Sequence, residues 1–215
     1  MSNASWRLEN AAVVLVANTH NPSIINPDFL KNNGIIPADC KVGQELLVTP
    51  ILAKLAFQNV MLTVVPEQLH LEERNKNPEN NRFLDSSMLY DCTKKYVTAL
   101  PHIPYIALGL NWRIRIPMPA PDSWFKERFL KGGAWQEKIK PVNFVFKIQH
   151  DIATVYTLIT EIQDGDVMIS CNFHFNLENE NRKIKRITET IDNWKMHKKT
   201  FETDLQKYFT QEELA

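Results

Sequence analysis

The stretch "YIALGLNWRIRIP", Tyr105–Pro117, decides the fold, because from Leu108 to Ile116 every second residue is apolar. Leu108, Leu110, Trp112, Ile114 and Ile116 share one parity, and Gly109, Asn111, Arg113 and Arg115 share the other. Successive side chains of a strand point to opposite faces, so the apolar set faces a core and the polar set faces away. Alternation of this kind belongs to an antiparallel sheet covered on one side.

Working outward, a second signal lies near the C-terminus. "PVNFVFKIQ", "IATVYTLITEIQ" and "VMISCNFHFNLE" read as three strands, the last two joined by Asp164-Gly165. Asp-Gly favours the type I′ turn of a two-residue hairpin and thereby sets the register. Ile162 is expected opposite Val167, Leu158 opposite Cys171 and Tyr156 opposite Phe173 on the inner face. Thr157 is expected opposite Asn172, and Val155 opposite His174, on the outer face. Toward the N-terminus, Ala11–Asn18 reads as a strand and "PDFLKNNG" as a short helix closed by Gly34. Ile51–Phe57 leads through Gln58-Asn59 into "VMLTVVPEQLHLEE". There the apolar parity slips at Pro66, and a bulge would reconcile the two halves.

Helical spacing appears between residues 81 and 99, where Leu84, Met88, Cys92, Tyr96 and Ala99 form one stripe. "SWFKERFLK" reads as a short helix capped by Asp122 or Ser123 and closed by Gly132-Gly133. Residues 182–208 lack glycine and proline, and their apolar residues nearly trace a stripe over a helix of about 40 Å. The expected fold is therefore α+β: a largely antiparallel sheet with helices on one face, in one compact domain over residues 1–215. "NVMLTVVPEQLHLEER" and "DGDVMISCNFHFNLEN" each precede a helix. The echo fits a duplicated strand-strand-helix unit with halves 11–116 and 122–209.

The chain has 215 residues, 44% hydrophobic and 23% charged, a composition that excludes wholesale disorder. Its 25 basic and 25 acidic residues cancel, which argues against a general nucleic-acid coat. No apolar run reaches membrane-span length and "MSNASWRLEN" is not a signal peptide, so neither a membrane nor a secreted protein is expected. Cys40, Cys92 and Cys171 read as reduced thiols of a cytoplasmic protein.

Motifs for chemistry are sparse. The six glycines form no phosphate-binding loop, and HExxH, CxxC and GxSxG are absent. Cys92 and Cys171 fall on apolar faces, and no residue near Cys40 activates it. Glu67, Glu72, Glu73, Asp91 and Glu161 carry no signature of a catalytic pair. No catalytic residue, cofactor or metal ligand is assigned on this basis, and the reading leans away from an enzyme.

Surface features remain. Asn111, Arg113 and Arg115 on one strand, and Asn172 and His174 on another, would share a polar sheet face. Arg182, Lys183, Lys185 and Arg186 crowd the start of the last helix, where the dipole disfavours cations. "DSWFKERF" and "GGAW" concentrate aromatic residues in a helix packed on the sheet edge, or in a contact surface. The leading expectation is a protein-binding or assembly module that self-associates or takes a protein partner. One alternative is a small-ligand-binding protein or enzyme with a cavity between sheet and helices, reached through residues 117–135. The other is nucleic-acid binding through the basic part of the C-terminal helix.

Overall fold

Alternation is realised from Leu108 to Ile116 of β6, Tyr105–Ile116, which lies near the middle of a nine-stranded antiparallel sheet. The computed structural model describes residues 6–43, 46–77, 82–129, 143–149 and 155–208. In chain order the strands are β1 (Arg7–Ala17), β2 (Leu47–Val48), β3 (Ala53–Phe57), β4 (Val60–Val65), β5 (Gln68–Arg74), β6, β7 (Asn143–Gln149), β8 (Val155–Gln163) and β9 (Asp166–Asn176). The helices are α1 (Pro27–Asn32), α2 (Leu89–Ala99), α3 (Pro121–Phe129), α4 (Lys183–Asp192) and α5 (Trp194–Tyr208). Across the sheet the order is β2-β3-β4-β5-β1-β6-β9-β8-β7.

This order reads alike in both directions from the β1/β6 seam. A central strand, a short helix, a three-stranded meander and a helix occur on each side, with β2 as an extra edge strand. Such a succession is what a repeated strand-strand-helix unit would produce. Because β1 and β6 are both central, they are flanked by strands on both edges and bury their apolar parity completely. Ala11, Val13 and Leu15 are at 0% exposure, and so are Leu108, Leu110 and Ile114.

That parity meets the helices. Leu89, Cys92, Tyr96 and Val97 of α2, Ile187 and Ile191 of α4, Phe201 and Leu205 of α5, and Phe125 of α3 join the sheet residues in one core. Trp112 is its largest buried side chain, edge-to-face with Phe173 at 5.6 Å. Its indole N–H donates to the Tyr90 hydroxyl at 3.2 Å, and the Tyr90 ring stacks on Trp194 at 4.4 Å. The β8–β9 register follows the Asp-Gly turn, with Ile162↔Val167, Leu158↔Cys171, Tyr156↔Phe173 and Thr157↔Asn172. Asp164 and Gly165 both take positive φ, as a type I′ turn requires.

Three local expectations are corrected. Pro66 marks no bulge: Val65 pairs with Gln68, so the chain reverses at Pro66-Glu67 and the parity slip is a tight hairpin. The stripe over residues 81–99 is interrupted, since Phe83–Ser86 is a 3-10 turn and α2 begins only at Leu89. The long C-terminal helix is two helices. At Asn193 the backbone leaves helical geometry, and the side-chain amide donates back to the Glu189 carbonyl at 2.9 Å. Beyond the break, α5 brings Phe201 and Leu205 into the core. The Gly132-Gly133 closure, Trp135 and the His150-Asp151 turn lie outside the described residues.

Behind β1, His20 is buried beneath α2 at 4% exposure. Its Nε2 lies 3.3 Å from the Leu15 carbonyl, which can only accept, so Nε2 carries the proton. Nδ1 then accepts from the Tyr96 hydroxyl at 3.0 Å. Burial holds the His20 pKa below its ordinary 6.5, and the bond to Leu15 only partly offsets this. As pH falls below about 6.5, the unfolded chain takes a proton that the folded imidazole refuses, and stability drops. Half-buried His70 is lowered for the same first cause and adds in the same direction. Urea midpoints should therefore fall between pH 7.5 and pH 5.5. His20→Gln, whose amide can donate to Leu15 and accept from Tyr96, should show a smaller fall; an equal fall would remove His20 from the explanation.

Candidate functional site: the uncovered sheet face

The second parity of every strand points away from the helices, and no described element covers it. Register places its side chains in rows across the strands. One row runs Thr63, His70, Val14, Gly109, His174, and the next runs Met61, Glu72, Ala12, Asn111, Asn172, Thr157. The two central strands thus contribute Ala12, Val14 and Gly109, all small or short. A Cβ on Gly109 would sit 3.4 Å from the Asn111 and Asn172 side chains and 3.5 Å from Val14. The floor is low over Ala12 and Val14, and Asn111 and Arg113 of β6 line it beside them.

The result is an open trough of ≈ 400 Å³. Gln68, His70 and Glu72 of β5 form one wall; Asn172 of β9 with Thr157 and Ile159 of β8 forms the other. His70 and His174 stand three inter-strand steps apart, about 14 Å. From Asn10 to Val14 the floor is about 14 Å long. A neighbouring concavity of ≈ 440 Å³ continues the same face over Lys54, Ala56, Met61 and Thr63.

Both arginines of β6 on this face are ion-paired, while the buried Nε of Arg113 meets no acceptor among the described residues. Arg113 donates from Nη2 to Gln163 at 2.7 Å and is ion-paired with Glu161. Arg115 donates to Glu9 and to Asp166, each at 3.0 Å, with Asp164 at 3.8 Å. Those carboxylates hold its pKa above the ordinary arginine value, the Asp166 hydrogen bond first. Glu72 accepts from Asn10 at 3.1 Å and from Arg74 at 3.0 Å. The face is a mixed surface of amides, hydroxyls, imidazoles and aliphatic groups in which Arg113 and Arg115 are ion-paired and Lys54 is exposed.

Sequence spacing groups Asn111, Arg113, Arg115, Asn172 and His174 on one face, and the structure does bring them together, with Asn111 directly opposite Asn172. The other four candidates lie elsewhere, at the start of α4 behind the sheet. Lys183 donates to the Tyr105 carbonyl at 2.8 Å, which fastens α4 to β6. Lys185 pairs with Glu189 at 3.5 Å, and Arg186 is exposed. Arg182 precedes the helix without a side-chain cap and is also engaged. Farther along, Lys195 reaches Asp85 and Lys198 reaches Glu202, so the basic run is largely tied into the fold.

Residues not singled out from sequence are His70, Gln68, Glu72, Asn10, Ala12 and Val14. The alternation Gln68-Leu69-His70-Leu71-Glu72 carried a signal for β5. β1 carried none, because its outward residues Ala12, Val14 and Val16 are as apolar as its inward ones.

The cysteines are poor nucleophiles. Cys40 is buried at 5% exposure rather than loose in its loop, and burial raises its pKa. Cys92 is pushed up to about 12 and Cys171 well above its ordinary value, each chiefly by burial. Glu73 faces the core beside α2, where burial raises its pKa and the Ser87 hydroxyl donates to it. Among the described residues no cluster of three or more His, Cys, Asp or Glu could hold a metal ion. No helix there is long and apolar enough to cross a membrane. On the helix side, a separate cavity of ≈ 480 Å³ lies at the β7–β8 end, lined in part by Phe129, Phe146, Ile148, Leu158 and Thr160.

No protein-family model and no curated protein matches the chain. Among solved structures, one match is titled "Methanococcus jannaschii TBP". It is 13% identical at a TM-score of 0.28, and the match covers 89% of this chain and 99% of that one.

Proposed function

We propose that the protein is a non-enzymatic binding module that receives an amphipathic α-helix of a partner protein in the trough on its uncovered sheet face. The observation that carries this is the low floor of Ala12 and Val14 between polar walls, with Arg113 and Arg115 already ion-paired. A sheet face has no backbone groups left to offer, since its donors and acceptors are used within the ladder. An extended peptide lying there would leave its own backbone to solvent, whereas a helix satisfies its backbone internally. A helix with side chains is about 10–12 Å across, and the strands that carry Glu72 and Asn172, on opposite walls of the trough, are about 14 Å apart. Apolar residues of the guest would rest on Val14 and Val16, and its flanking polar residues would meet His70, Asn172 and Thr157. The balanced charge suits a near-neutral polypeptide better than a phosphate backbone.

The test is selection from a displayed library of random 14-residue peptides against the whole chain. Enriched sequences should carry apolar residues at i, i+3, i+4 and i+7, and binding should fall at least tenfold with Ala12→Arg and with exposed Asn172→Arg. Enrichment without that period, or affinity untouched by both variants, would refute the proposal. A second reading, a small apolar ligand held between sheet and helices, rests on the cavity beside Phe146 and Leu158. An apolar fluorescent probe displaced by Leu158→Trp, and not by Ala12→Arg, would favour it.

A further inference from the structure

The two edges of the sheet are unlike. β2 is two residues long, and the rest of that edge is a single bridge, Val42↔Phe57. β7 is seven residues long, regular, and paired only with β8 among the described residues. Native sheets usually blunt a long edge with a proline, a bulge or several charges. β7, "NFVFKIQ", has no proline or bulge and one charge, Lys147. We propose that β7 is the contact by which two copies of this chain form a two-fold dimer, joining their sheets edge to edge into one continuous antiparallel sheet.

Hydrogen-bond parity identifies the groups that would do this. The type I′ turn makes Gln163 and Asp166 a hydrogen-bonded pair, so Glu161, Ile159 and Thr157 bond toward β9. Thr160, Leu158 and Tyr156 then bond toward β7, where Phe144, Phe146 and Ile148 lie opposite them. The backbone N–H and C=O of Asn143, Val145, Lys147 and Gln149 consequently point out from the edge.

Sequence symmetry selects the register. With the two-fold axis at Phe146, all seven residues overlap, Val145 faces Lys147 of the second copy, and Asn143 faces its Gln149. Shifting the axis to Lys147 would set like charges opposite each other, which is unfavourable. Side-chain chemistry agrees with the first register. Phe144, Phe146 and Ile148 are only partly buried on the helix side, and Val145 is 61% exposed on the other. Phe146 packs on Phe129 at 5.3 Å and on Phe144 at 6.3 Å, an aromatic row that ends at the edge. In the dimer Phe146 meets its own copy, Phe144 meets Ile148, and the row continues. This surface is separate from the trough, so the two proposals can fail independently.

The whole chain is measured by light scattering across a concentration series, as wild type and as Val145→Pro. Proline there deletes an outward N–H and leaves the β7–β8 bonds intact. Wild type should approach twice 25.0 kDa and the variant should stay at 25.0 kDa. Should the proline variant not fold, Val145→Lys takes its place with the same expectation. Phe146→Cys gives an independent readout. At a non-hydrogen-bonded pair on the axis the two Cα atoms are about 4.5 Å apart, within disulfide range. Mild oxidation should convert this variant into a covalent dimer, since Cys40, Cys92 and Cys171 are buried. A monomeric wild type, or a dimer that survives both Val145 variants, would overturn the inference.

Discussion

Replacing Trp112 with alanine should cost about 3–5 kcal/mol of folding stability, the range for removing a large buried aromatic. Its side chain is at 1% exposure, edge-to-face with Phe173, on the central strand that links the two parts of the sheet. Truncation would leave a cavity between sheet and α2 and deprive the Tyr90 hydroxyl of its donor. Tyr90 stacks on Trp194 at the start of α5, so the damage should spread along that contact. Trp112→Phe keeps much of the volume and should cost clearly less. Urea unfolding at neutral pH checks both, and a loss below about 1 kcal/mol for the alanine variant would contradict the packing described.

Asp204→Ala should be the costliest polar substitution in the helical layer, at about 1.5–3 kcal/mol, the range for a hydrogen bond to a charged group. Asp204 is at 4% exposure on α5, where it accepts from the Tyr156 hydroxyl at 2.7 Å and from Lys207 at 2.8 Å. Removing the carboxylate leaves a buried tyrosine hydroxyl on β8 without this acceptor. Asp204→Asn retains an acceptor for Tyr156 and should cost less, and Tyr156→Phe should also cost less than Asp204→Ala. Equal losses for the alanine and asparagine variants would show that the hydrogen bond is not what matters there.

Legibility in the sequence followed the range of the interaction. β6 was readable because alternation is local, and it assigned Trp112 to the core and Asn111, Arg113 and Arg115 to the other face. Asp164-Gly165 was readable because one turn type sets one register. Pro66-Glu67 was not, because it lacks the glycine or asparagine that usually marks a two-residue hairpin. Asn193 ends α4 through a side-chain bond to Glu189, with no glycine or proline to announce it. The partners of Arg113 and Arg115 depend on which strands are neighbours. Glu161 is 48 residues from Arg113, and Glu9 is 106 from Arg115. The trough was hidden for the same reason: His70, Val14, Gly109 and His174 become one row only after the central strands pair.

The organisation that results is a division of labour between two faces. One parity of the sheet packs against α2, α4 and α5 and supplies stability; the other carries small floor residues between polar walls. That second face carries the proposed helix-binding trough.

The most direct measurement is the binding isotherm of a selected amphipathic peptide, followed by fluorescence anisotropy. It is taken on wild type, on Ala12→Arg, and on Met196→Arg, which alters an exposed side chain on the helical side. Binding should be at least tenfold weaker for Ala12→Arg and unchanged for Met196→Arg. Unaltered affinity for Ala12→Arg, or loss confined to Met196→Arg, would contradict the proposed trough.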